Sequence, residues 1–218
     1  MSETDSFIDE VSEEVRRDRL FALFRKYGWI AGLVIVGIVG GTGWTQWQEA
    51  RATAQAQAFG DAVLDALDLG SPEDRIAALQ ALPAAGGQGA LVNLLLSADP
   101  LADRQTSLEA LRALGADATQ PDIYRDLANL RLVLVAGTEM PLAERRGILQ
   151  EMAVAGRPYR VLALEQLAYL SVEEGDRIAA IAALVALMSD QEATAAMKER
   201  LRQVITALGG TSPVAAAG

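Results

Sequence analysis

Carboxylates are the side chains with the most chemical capacity in this 218-residue chain, 29 Asp and Glu against 19 Lys and Arg. General acid–base chemistry needs two such groups at one substrate, and Asp122/Asp126 and Glu144/Glu151 have helical spacing. Neither pair adjoins a Gly-rich phosphate loop or a nucleophile elbow, and carboxylates at this spacing ordinarily face water. Glu173-Glu174 beside Gly175-Asp176 reads as a helix end and its turn rather than as an acidic site. The chain has no His and no Cys. That removes Ser-His and Cys-His relays, thiolate nucleophiles and the usual nitrogen and sulfur ligands of zinc, haem and iron–sulfur clusters. The expectation is therefore no catalytic site, no cofactor and no metal. A net charge of −10 argues against an extended nucleic-acid surface, which requires concentrated Lys and Arg.

With chemistry set aside, the helix-forming composition dominates. Alanine (40) and leucine (30) are strong helix formers, and aromatics make up only 5%. The expected fold class is all-α: a single N-terminal transmembrane helix followed by a tetratricopeptide-like solenoid of antiparallel helix hairpins.

Residues 27–48, YGWIAGLVIVGIVGGTGWTQWQ, carry no charge. At about 1.5 Å per residue they cover roughly 30 Å, the thickness of a hydrocarbon core. Tyr27 and Trp29 sit at one end and Trp44 and Trp47 at the other, where amphipathic rings favour a membrane interface. The competing reading is a buried helix of a soluble protein. Arg16, Arg17, Arg19, Arg25 and Lys26 precede the run and only Arg51 follows closely. The positive-inside rule then keeps the N-terminus in the cytoplasm and exports the rest. Small-x-small sites at residues 50–54 raise the alternative of signal cleavage, but the leading arm is long and acidic, which suits a retained anchor. Gly28/Gly32 and Gly37/Gly41 have the small-xxx-small spacing on which two copies could pair as a homodimer, although glycine is also simply common in membrane helices. Before the span, residues 6–26 place Ile8, Val11 and Val15 on one stripe of a short helix. This arm lies on the membrane, docks a cytoplasmic partner or is a plain solvated lead-in.

Past Glu49 the pattern stays helical through Leu69, then Ser71-Pro72-Glu73-Asp74 opens a helix that ends near Leu82. Helices are expected near 90–98, 101–114, 121–136, 141–155, 158–174, 177–188 and 192–208. Pro100, Pro121, Pro141 and Pro158 stand at or near their starts. Gly115, Gly137, Gly156, Gly175 and Gly209 stand at their ends. Leu164, Leu167 and Ala168, then Gly175-Asp176, then Ala180, Leu184 and Leu187 form one unit. Leu91, Leu94 and Leu95, with Ser107, Leu111 and Leu114, repeat it. A middle unit begins at Tyr124, Leu127 and Ala128, but its second helix from Pro141 fits these offsets poorly. Start-to-start spacings of 33 and 40 residues bracket the 34-residue tetratricopeptide period. The helix to Leu208 would cap the stack. The division expected is an arm (1–26), a transmembrane helix (27–48), a helical stalk with a first hairpin (49–88), a repeat domain (89–209) and a disordered tail (210–218). An unrelated helical bundle is the alternative for the repeat domain.

This layout resembles the tetratricopeptide-like, single-span inner-membrane proteins of the YfgM type, in their α-proteobacterial form. The resemblance rests on the arm FIDEVSEEVRRDRLFALFRKYGW, the Ala/Gln-rich stalk, Tyr124-Arg125-Asp126-Leu127-Ala128, the Gly156-Arg157-Pro158 turn and Leu208-Gly209-Gly210. It implies a periplasmic domain that associates with the SecYEG translocon and a membrane-anchored periplasmic chaperone and assists newly exported proteins. It implies no catalytic residue.

The leading functional expectation is thus a tethered protein-binding module in the bacterial inner membrane. Stacked hairpins offer a surface formed largely by their first helices. Asn93, Arg125, Asn129, Arg131, Arg160 and Gln166 are the candidate lining of that groove, with a plain solvated face as the alternative for each. A scaffold for envelope or outer-membrane assembly, unconnected to the translocon, is the rival binding role. The absence of thiols suits an oxidising compartment. Of the −10 charge, −8 lies in residues 49–218, which hold 22 acids and 14 bases.

Overall fold

A computed structural model describes the backbone of residues 3–211, and side chains from Trp29 onward together with Arg25, apart from residues 31, 32, 35 and 40. The side chains of the arm, of Tyr27 and of Gly28/Gly32, and the tail beyond residue 211, lie outside the described residues. Among the described residues there is no strand, so the all-α expectation holds.

Among the described residues nine α-helices follow one another: α1 (Glu3–Leu67), α2 (Pro72–Gln80), α3 (Gly87–Leu96), α4 (Arg104–Ala116), α5 (Asp122–Ala136), α6 (Leu142–Met152), α7 (Arg160–Glu173), α8 (Arg177–Met188) and α9 (Ala195–Ala207). Residues 1–62 form one compact unit and Val63–Gly218 a second. The arm, the apolar run and the stalk belong to the single helix α1 rather than to separate elements. Among the described residues no helix is long and apolar enough to cross a membrane. Six side chains of the 27–48 run (27, 28, 31, 32, 35 and 40) lie outside that description.

Local chemistry sets the helix boundaries of the second unit. Ser71 caps α2 by accepting the Asp74 N–H at 3.0 Å, and Pro72 takes the first helical position. Asp176 and Thr194 cap α8 and α9 in the same way. At α4 the sequence suggests a start at 101, but the helix begins at Arg104. Asp103 accepts both the N–H and the hydroxyl of Thr106, which makes it the cap and leaves Leu101 in the preceding turn, 97% exposed. Pro121 and Pro141 cap α5 and α6 from just outside. Gly175 closes α7 at φ +83°, with Gly175 N–H on Val172 and Asp176 N–H on Ser171, a conformation a Cβ would strain. Gly115 has a different role. It lies inside α4, and a Cβ there would come within 2.1 Å of Asn129 Oδ1 on α5, so it permits close helix approach rather than ending a helix.

Each helix from α2 to α9 packs on the next in the chain, as short loops require. One buried cluster runs from Ala90 in α3 to Leu170 in α7, and a second from Ala168 to Ile205. Leu162 packs against both. The second helices bury matching triads: Ser107, Leu111 and Leu114 in α4; Ala180, Leu184 and Leu187 in α8. The middle unit, which fits poorly by sequence, buries Arg145, Leu149 and Met152 at the same i, i+4, i+7 spacing. Arg145 occupies the small-residue position, so the match is invisible to a pattern that demands Ser or Ala there. In the first helices, Ala128 and Ala168 are buried as the pattern requires. Leu91 and Tyr124 instead turn outward, 45% and 39% exposed.

Candidate protein-binding surface

The six polar residues expected to line a groove are best located by what their side chains touch. All six are half-buried. Arg131 donates to the Ser97 carbonyl at the end of α3, 2.5 Å away. Arg125 pairs with Asp122 at 3.3 Å, one turn along α5. Arg160 holds Asp190 at 2.7 Å and Glu192 at 2.9 Å, in the loop before α9. Asn129 fills the notch above Gly115. Asn93 and Gln166 lie on α3 and α7. Arg131 and Arg160 thus direct their charge into the fold, linking elements about one hairpin apart, whereas Arg125 pairs within its own helix.

Those links recur. Gln120 donates to the Gly86 carbonyl, joining the start of α5 to that of α3 across 34 residues. Arg157, in the turn before α7, binds Asp126 of α5 and reaches Asp122 at 2.9 Å. Arg200 of α9 grips Glu165 of α7 with two bonds of 2.8 and 2.6 Å across 35 residues. Asp126 and Glu165 are 0% and 2% exposed, and burying a carboxylate is costly unless a cation and hydrogen bonds compensate. Among the described residues, Asp126 Oδ2 and the Nε atoms of Arg125 and Arg157 have no hydrogen-bond partner. A third set joins α6 to the end of α7: Arg145 holds Glu173 through bonds of 2.7 and 2.5 Å while its Nε satisfies the Met140 carbonyl, and Arg146 pairs with Glu174.

Electrostatics follow this geometry. Arg145 holds the Glu173 carboxyl below its ordinary range, and Arg160 does the same for Asp190. Burial, reinforced by its bond to Glu165 at 2.7 Å, pushes the Tyr169 hydroxyl up to about 12. Asp103 is lowered by the Thr106 bonds and stays ionised at neutral pH. Among the described residues no group of three or more carboxylates gathers as a metal site.

Open surface is found around α2. A cleft of about 300 Å³ lies between α2 and the start of α4, walled by Ile76, Ala77 and Gln80 on one side and Ala102 and Thr106 on the other, with Glu73 and Asp103 at its rim. A second, of about 100 Å³, lies on the other flank of α2 against Leu95 and Leu96, with Asp99 beside it. Pro72 and Ile76 line both. Nothing in the hydrophobic periodicity singles out these residues. The signal was the charge pattern, because between Val63 and Asp103 there are six acids and only one base, Arg75.

In the first unit, Trp29, Trp44 and Trp47 are 64%, 61% and 45% exposed. The Trp44 and Trp47 rings lie 5.3 Å apart, and the Arg51 guanidinium sits 3.7 Å over the Trp47 ring, a cation–π contact. Open space adjoins Gly37 and Gly41. No family model, curated protein or solved structure matches the chain.

Proposed function

We propose that this protein is a membrane-tethered binding module whose helical-hairpin domain holds protein partners at the exit side of a bacterial inner membrane. The observation that carries the reading is the uncharged 22-residue run with aromatic residues at both ends, preceded by five basic residues and followed by the hairpin domain. The exposed Trp44 and Trp47 with Arg51 suit a membrane interface, where aromatic rings and a cation meet headgroups. The recurring buried triads of α4, α6 and α8 support a tetratricopeptide-like solenoid, an architecture built for protein segments. In this reading the N-terminus is cytoplasmic and the bulk of the chain periplasmic. The partners are subunits of the Sec translocon, a membrane-anchored periplasmic chaperone and newly exported chains, as the YfgM-type resemblance implies. Its mechanism is positional. Tethering raises the effective concentration of the domain near emerging chains, so weak individual contacts suffice.

Affinity isolation of the full chain from mild detergent tests the proposal. Recovery of translocon subunits is the expected result. Recovery of envelope-assembly factors alone would overturn it in favour of the scaffold role.

A further inference from the structure

Clefts open on two flanks of α2, while its Leu79 is buried. Pro72 and Ile76 form the apolar floor common to its two clefts, and Leu101, next in the chain to the cleft residue Ala102, is almost fully exposed. The charge around this floor is one-sided. Asp65, Asp68, Glu73, Asp74, Asp99 and Asp103 lie between Val63 and Asp103, and among the described residues none of them forms an ion pair. The single base of the segment, Arg75, donates to the Leu69 carbonyl at 3.2 Å. Elsewhere in this unit nine carboxylates pair with an arginine of the fold, Asp126, Glu165, Glu173 and Asp190 among them, while Glu109, Asp117, Glu144, Glu151 and Asp176 are scattered singly and have none among the described residues. Acidic charge left unmatched around an apolar cleft is what a complementary cation-bearing partner would neutralise.

From this arrangement we infer that the α2 clefts bind a basic amphipathic helical segment of a protein partner. Its apolar face sits on Pro72 and Ile76, and its Lys or Arg side chains meet Glu73, Asp103 and Asp99. A helix laid in an apolar groove brings its own anchors one turn apart, and Ile76 and Ala77 supply apolar surface for them to meet. The inference rests on the binding-module reading and specifies the partner chemistry of one surface within it.

The test uses the full chain in nanodiscs of zwitterionic phosphatidylcholine. The probe is a fluorescein-labelled 18-residue Leu/Lys amphipathic peptide, followed by anisotropy, with protein-free nanodiscs to subtract lipid binding. The same peptide with Glu for every Lys is the control. The expected result is saturable binding of the basic peptide only, weakening with added salt as screening requires. Gln80→Lys should raise Kd about fivefold and Ala77→Arg, which fills the cleft with a like charge, about tenfold or more. Gln80→Glu should tighten binding, a gain that misfolding cannot produce. Equal binding of the acidic peptide, no binding of the basic one, or indifference to all three variants would overturn the inference. Each of those results leaves isolation of translocon subunits unaffected, so failure here is distinct from failure of the function proposed above.

Discussion

Arg200→Ala leaves the Glu165 carboxylate, 2% exposed, facing only the Tyr169 hydroxyl at 2.7 Å. Removing one member of a buried ion pair costs about 3–5 kcal/mol. The Arg200 side chain is itself 52% exposed, so water reaches the vacated position and the loss falls to about 2 kcal/mol. For a chain of this size that is a drop of about 4–8 °C in the thermal midpoint. Glu165→Gln keeps the shape and removes the charge, so the double variant should be more stable than Arg200→Ala alone. Urea unfolding of the full chain in detergent, followed by helical circular dichroism at pH 7, measures both. A deficit under about 0.5 kcal/mol, or a double variant no more stable than Arg200→Ala, would refute the idea that Glu165–Arg200 clamps α7 to α9.

Gly115→Ala places a methyl group against Asn129 Oδ1 and should destabilise by about 1–3 kcal/mol, with Asn129→Ala restoring much of the loss in a double-variant unfolding series. Glu173 and Asp190 have folded pKa values below their ordinary 4.5 and 3.8. Their contribution is complete above those values and is lost as pH falls through the folded ones. The thermal midpoint should therefore hold from pH 7 to about pH 5 and decline below about pH 4, with Glu173→Gln flattening part of that decline. A chain lacking residues 1–48, exported by a cleavable leader, should lose about tenfold or more of its recovery with the translocon, because the tether supplies effective concentration. Recovery equal to that of the full chain would remove anchoring from the mechanism.

Helix positions were legible from the chain because their determinants are local. Ser71, Asp176 and Thr194 cap, Pro121 and Pro141 precede first turns, and Gly175 supplies a left-handed end. Non-local determinants were not legible. Gly115 looks like punctuation, yet its reason is Asn129 on the neighbouring helix. Arg145 hides the middle repeat because a long side chain takes a position that its counterparts fill with Ser107 and Ala180, and only the location of Glu173 and the Met140 carbonyl makes that tolerable. Arg131 and Arg160 read as surface cations because sequence spacing does not reveal that the Ser97 carbonyl and Asp190 lie within reach. The stacking of Arg51 on Trp47 could have been anticipated, since i, i+4 neighbours share a helix face. The α2 clefts left a trace only in the long stretch of acids without bases.

Photo-crosslinking in living cells tests the tethered binding surface most directly. Probes placed at Gln80 and Ala102 of the full-length chain should form adducts with translocation machinery or newly exported proteins, while a probe at Lys198 on α9 should form few. No adduct from either cleft position, or adducts arising equally from Lys198, would contradict the account.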